Sequence, residues 1–137
     1  MKQVDGGCHC GQVTFRAEID PEKVFVCHCT DCQTLSGSPF RVVAFGPGAS
    51  LEWLGVTPKK YIKVAASGNR RVQAFCGNCG TPIYSSDDVE NPAGVALRVG
   101  CINQRDELHP KAQMWCQSAQ DWVLKSLDMP QFDKQAR

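Results

Sequence analysis

Hydrophobic and polar residues alternate along much of this chain, in short runs that end at glycine or proline. Gln12–Val13–Thr14–Phe15–Arg16–Ala17–Glu18–Ile19 keeps a period of two for most of its length and stops at Asp20–Pro21. That period belongs to a strand with one buried face. Phe40 to Phe45 (FRVVAF) is a short apolar strand closed by Gly46–Pro47–Gly48. Ser50 to Leu54 and Lys59 to Val64 follow, separated by Gly55 and Pro58. Ser67–Gly68–Asn69 marks a turn, from which Arg71 to Phe75 runs on. Pro82 to Ser85, Gly94 to Val99 and Ala112 to Cys116 complete the strand-like set, and Gln104 to His109 reads as a turn of helix. Thr30–Asp31–Cys32–Gln33 fits a capping box, with Thr30 as N-cap and Gln33 at the third helical position. Gly37 then stops a short helix after Leu35–Ser36. The expected fold class is mainly β: small antiparallel sheets joined by Gly/Pro turns. Residues 1–137 are expected to form one domain.

Composition narrows the function. The 137 residues are 42% hydrophobic and 21% charged, with a formal net charge of +1. There is no basic excess of the kind that holds nucleic acid by its phosphates. No run approaches 18 apolar residues, so no membrane span is expected. The opening MKQVDGGCHC carries no apolar signal region, and the expected location is cytoplasmic.

Cysteine changes the picture most. There are nine, an odd number, in a chain without an export signal. A reducing compartment disfavours a disulfide framework and points to metal binding. Cys8 and Cys10 form C-x-C, Cys27, Cys29 and Cys32 form C-x-C-x-x-C, and Cys76 and Cys79 form C-x-x-C, while Cys101 and Cys116 stand alone. Seven clustered thiols divide as four plus three. That arithmetic suits zinc, whose structural sites take four protein ligands and whose catalytic sites take three and keep one position open. Cys76–Gly77–Asn78–Cys79–Gly80 has the glycines of a zinc knuckle, and Cys8 and Cys10 are the free pair that completes it. The closed site is therefore expected at Cys8, Cys10, Cys76 and Cys79. The second zinc is expected on Cys27, Cys29 and Cys32, with Cys32 in the first helical turn. An alternative grouping joins Cys8 and Cys10 to Cys27 and Cys29 and leaves Cys32 out. Another closes the second site with Cys101, Cys116 or a histidine.

The histidines and arginines carry weaker signals. His9 and His28 each lie between two ligating cysteines, where a side chain tends to point away from the metal, so both are expected exposed or behind the ligands. The sharper reading makes His28 a proton shuttle. His109, in a Leu-His-Pro turn, has no expected role. Cys101 and Cys116 are expected to be buried apolar residues in strands. Arg41, Arg70, Arg71 and Arg98 are expected on solvated strand faces, with anion binding as the rival reading.

The ordered motifs Gly6–Gly7–Cys8–His9–Cys10–Gly11, Cys27–His28–Cys29–Thr30–Asp31–Cys32, Ser36–Gly37–Ser38–Pro39–Phe40 and Phe75–Cys76–Gly77–Asn78–Cys79–Gly80–Thr81–Pro82 resemble the glutathione-dependent formaldehyde-activating enzyme family, which includes centromere protein V. Trp115, Trp122 and Phe132–Asp133–Lys134–Gln135 extend the resemblance over nearly the whole chain. It implies a β-tent of antiparallel sheets, a structural zinc on four cysteines and a catalytic zinc on the C-x-C-x-x-C cysteines, two zinc ions per chain. It also implies carbon–sulfur lyase chemistry, the reversible addition of glutathione to formaldehyde to give an S-hydroxymethyl adduct. Two other classes compete. A zinc-stabilised binding module without chemistry is distinguished by a protein ligand in the fourth position of the second site. A thiol redox protein is distinguished by a βαβ setting for C-x-x-C, a pattern absent here.

Overall fold

The computed structural model describes residues 1–136. Among the described residues ten strands form two sheets. β1 (Lys2–Gly7), β2 (Thr14–Ile19) and β5 (Glu52–Trp53) make a three-stranded antiparallel sheet in the order β1-β2-β5. A seven-stranded sheet runs β10-β3-β4-β9-β8-β7-β6. Its members are β3 (Val24–Cys27), β4 (Arg41–Pro47), β6 (Lys59–Val64), β7 (Arg70–Phe75), β8 (Pro82–Asp87), β9 (Gly94–Arg98) and β10 (Ala112–Met114). The helices are short: α1 (Thr30–Ser36) and α2 (Asp121–Leu124).

The mainly β expectation holds, and most strand positions follow the alternation. The pattern passed over β1, which has two glycines and little apolar content, and β3, whose Val-Phe-Val-Cys run is continuous rather than alternating. One pairing departs from the antiparallel expectation. β10 pairs with β3 in parallel, Ala112 opposite Phe25 and Met114 opposite Cys27. The chain returns to this edge from the far end of the sequence. A C-terminal segment covers β10 in turn, with Gln113 N–H donating to Pro130 O and Phe132 N–H to Gln113 O.

Strand alternation gives the large sheet two different faces. One face presents Val24, Ala44, Val95, Leu97, Tyr84, Ala74 and Val72. These pack with Val4, Phe15, Ala17 and Ile19 of the small sheet into the main core. Phe15, Ile19, Ile83, Leu97 and Ile102 are among its fully buried residues. Each such side chain contributes roughly 1.5–3 kcal/mol by leaving water. The opposite face carries Phe25, Cys27, Val43, Phe45, Ala96 and Met114, joined by Cys29, Cys32 and Trp115 in a second, smaller cluster. That second face carries the three-cysteine group.

Candidate metal centres and an adjoining cavity

The first cysteine group closes where the two sheets meet. Cys8 and Cys10 follow β1, and Cys76 and Cys79 follow β7. All four Sγ atoms lie within 4.8 Å of one another. Cys8 Sγ is 3.5 Å from Cys10 Sγ, and Cys10 Sγ is 3.8 Å from Cys76 Sγ. Tetrahedral sulfurs about 2.3 Å from one zinc ion are about 3.8 Å apart, so this set fits zinc.

Local backbone explains the convergence. Gly80 N–H donates to Cys76 O across a tight turn, and Gly80 takes φ +80°, a left-handed value that a residue with a Cβ resists. Inside the turn, Asn78 and Cys79 N–H groups point at Cys76 Sγ at 3.4 and 3.5 Å. Val13 N–H reaches Cys8 Sγ at 3.2 Å. Such donors stabilise sulfur as thiolate. Thr81 does the same for Cys79. Its hydroxyl lies 3.2 Å from Cys79 Sγ and, with the Thr81 N–H, brings that thiol down to about 5.

The second group is Cys27, Cys29 and Cys32, whose three Sγ atoms also lie within 4.8 Å of one another. Among the described residues no fourth Cys, His, Asp or Glu joins them. Cys27 ends β3, and Cys29 and Cys32 open α1. The N-cap is Cys29 rather than Thr30: Cys29 Sγ accepts the Cys32 N–H at 3.2 Å. The sulfur satisfies the orphan donor that a threonine hydroxyl was expected to take. Gln33 is accordingly free of any capping box. Its Nε2 donates to His28 O at 2.8 Å and Ser118 O at 2.9 Å, tying the helix to the C-terminal region. Gly37 ends the helix in the left-handed conformation, φ 63°, as expected. The crowded sulfurs share protons unequally. The Cys27 and Cys32 thiols, with the Cys32 N–H, hold Cys29 far below the usual thiol range, and Cys27 is pushed up by the same contacts.

The alternative grouping of Cys8 and Cys10 with Cys27 and Cys29 does not form. Cys101 and Cys116 are buried outside both groups. Neither is in a strand, since each lies in the 3-10 turn that follows one. Cys101 Sγ contacts Arg98 O at 3.1 Å, and burial pushes its thiol up to about 12.

His9 and His109 are exposed. His28 is not: it is 0% exposed, and its Nε2 lies 2.7 Å from Gln113 Oε1. Its ring packs edge-on to Phe40, with Nδ1 buried and unpartnered. C-x-C does turn its middle residue away from the sulfurs, but here that direction is into the protein.

The arginines divide. Arg70 and Arg71 pair with Asp88 and Asp87 at 2.9 and 2.7 Å near the surface. Arg41 and Arg98 overturn the solvated-face expectation, being 6% and 8% exposed. Arg41 stands directly opposite Cys27 in the β3–β4 ladder, and Arg98 lies opposite Val43 one step along the same face. Both donate to Gln73 Oε1, Arg98 Nη2 at 2.7 Å and Arg41 Nη1 at 3.4 Å. Burial, then repulsion from Arg41, lowers Arg98 to about 9, still cationic at neutral pH. The two guanidinium groups line a cavity of about 410 Å³ with Gln73, Leu35, Tyr61 and Phe75. Leu35 is three residues after Cys32 on α1, so the helix presents its sulfur and one cavity wall on the same side. Lys63 of β6 holds the helix over the sheet through Asp31 at 2.8 Å. The sequence singled out neither Gln73 nor Tyr61. A basic residue inside an otherwise apolar strand, as in FRVVAF, was the available signal.

Comparison with known proteins agrees with the geometry. The sequence profile described as glutathione-dependent formaldehyde-activating enzyme matches residues 3–118. A Schizosaccharomyces pombe protein named an uncharacterized lyase is 30% identical over 84 residues, 61% of this chain and 58% of that relative's own length. A Rhodobacter sphaeroides protein of known crystal structure superposes with a TM-score of 0.58 at 16% identity, covering 93% of this chain and 99% of that one.

Proposed function

Because this chain belongs to the glutathione-dependent formaldehyde-activating enzyme family, we propose that it is a zinc-dependent carbon–sulfur lyase that reversibly adds a glutathione-like thiol to an aldehyde such as formaldehyde. The observation that carries this reading is the contrast of four converging sulfurs with three. On this reading Cys8, Cys10, Cys76 and Cys79 hold a structural zinc, and Cys27, Cys29 and Cys32 hold a catalytic one, two ions per chain. Zinc on three thiolates supplies a Lewis acid with one open position, which lowers the pKa of a thiol brought to it. The remaining work falls to the chain. The Cys29 cap and the start of α1 fix the sulfurs on the sheet face where Arg41, opposite Cys27, lines the cavity. In the reaction the substrate S–H bond breaks, an S–C bond forms to the carbonyl carbon, and the carbonyl oxygen takes the proton. We assign that proton to water, since the His28 ring is fully buried on Gln113. His28 then acts by holding the peptide between Cys27 and Cys29 in place. No helix among the described residues is long and apolar enough to cross a membrane. Nine unpaired cysteines suit a reducing compartment such as the cytoplasm.

Calorimetry of the zinc-loaded protein with glutathione, in buffers of different ionisation enthalpy, tests the open position. Binding should release a proton near neutral pH, because the thiol binds deprotonated. S-methylglutathione cannot deprotonate and should release none, and Cys29→Ser should abolish the release. Equal binding of both ligands without proton release would replace the lyase by a zinc-stabilised binding module.

A further inference from the structure

The arginine pair is larger than anything the thiol addition itself requires. A buried guanidinium is costly unless its donors and its charge are met. Here Arg41 and Arg98 converge on a single neutral acceptor, Gln73 Oε1. Arg41 Nε, Arg41 Nη2 and Arg98 Nε are buried without a hydrogen-bond partner. Neither arginine makes an ion pair with a carboxylate among the described residues, although four other basic side chains near the surface lie within 3.4 Å of one. Gln73 aligns the two cations without neutralising either. The cavity in front of them is otherwise walled by Leu35, Tyr61, Phe75 and Pro82. Two guanidinium groups that line a mostly apolar cavity, with no carboxylate partner among the described residues, describe the complement of one small planar anion.

We propose that Arg41, Arg98 and Gln73 form a carboxylate-binding subsite that holds the thiol substrate by a carboxylate while its sulfur reaches the Cys27–Cys29–Cys32 centre. The proposal rests on the lyase reading and adds what the substrate must carry. Geometry favours a carboxylate, whose two oxygens accept bidentate guanidinium bonds in one plane. The subsite is in reach of the sulfurs. Directly opposed residues of an antiparallel pair have Cβ atoms about 5 Å apart, and Cys27 and Arg41 are such a pair. Tyr61, 54% exposed and opposite Gln73, stands at the mouth where the rest of a larger thiol would leave the cavity. Thiols with an acidic group should therefore be preferred over neutral or amine-bearing thiols of equal size.

The test uses the zinc-loaded protein and three probes measured by calorimetry: 3-mercaptopropionate, 2-mercaptoethanol and 3-(methylthio)propionate. The first has thiol and carboxylate, the second only the thiol, the third only the carboxylate. Native protein should bind 3-mercaptopropionate at least about tenfold more tightly than 2-mercaptoethanol, the scale of a charge-assisted hydrogen-bonded pair. Arg41→Gln and Arg98→Gln should bring the two thiols within about twofold of each other. Arg98→Lys, which keeps the charge and loses the fork, should fall between. Equal affinity of native protein for both thiols overturns the subsite and leaves the open position standing. So does a preference that survives both substitutions. If neither thiol releases a proton but 3-(methylthio)propionate binds native protein and not Arg41→Gln, the subsite stands and the open position fails. If 3-mercaptopropionate does not bind at all, both readings fall. The native comparison needs no substitution, so a variant that fails to fold does not remove the test.

Discussion

The two cysteine groups use the same atoms in opposite ways. At the first, four sulfurs sit on two turns, one from each sheet, so a metal there joins elements far apart in sequence. Backbone N–H groups of Val13, Asn78 and Cys79 cradle these sulfurs. At the second, three sulfurs come from six consecutive residues, and Arg41, opposite Cys27, lines a cavity with Arg98 and Leu35 of α1. On the proposed reading, a metal on the first group would complete the fold. On the same reading, a metal on the second would add little that the β3–α1 connection does not already supply, which would leave it available for chemistry. Ligand number and the sequence distance between ligands are what distinguish the two groups.

Substitution of one ligand in each group should break this comparison most visibly. Cys76→Ser should abolish the cooperative thermal transition, since structural zinc binding supplies on the order of 10 kcal/mol of folding free energy in small zinc domains. Cys29→Ser should stay folded and hold one zinc instead of two. Circular dichroism melts with elemental analysis decide it, and equal unfolding of both variants would make the second group structural as well. A smaller effect should come from the glycines that end each motif. Gly80 (φ +80°) and Gly37 (φ +63°) both face open space, so alanine at either costs only the left-handed backbone, roughly 1–2 kcal/mol. Gly80→Ala should also weaken zinc retention at the four-cysteine site, whereas Gly37→Ala should leave that site intact. Denaturant titrations followed by a competing chelator separate the two. The smallest effect belongs to the Lys63–Asp31 pair, whose aspartate is more than half exposed. Lys63→Met should cost less than about 1 kcal/mol, and the loss should vanish in high salt.

Much of the centre was legible because its information is local. C-x-C and C-x-x-C spacings with adjacent glycines specify turns that aim two sulfurs at a point, whatever surrounds them. Period-two alternation placed most strands, and Gly37 marked the helix end. The N-cap was misread because Thr30 is the usual capping type, while Cys29 had already been assigned to metal. Its sulfur does both. Arg41 and Arg98 were misread for a different reason. Alternation says that Cys27, Arg41, Val43 and Arg98 can share a face, but only the layer above that face decides whether it meets water.

From its own residues the chain determines a mainly β domain and seven thiols in a four-plus-three division, since turns and strand periods need only near neighbours. The pairing of Cys8 and Cys10 with Cys76 and Cys79, rather than with Cys27 and Cys29, required both sheets in place. The parallel return of β10 to β3 required the C-terminal segment to fold back across the edge. The burial of Arg41 and Arg98 beside Cys27 was decided by α1, β6 and β7 closing round one end of the sheet. A charge in a strand costs nothing until something covers it, and covering is a property of tertiary structure alone.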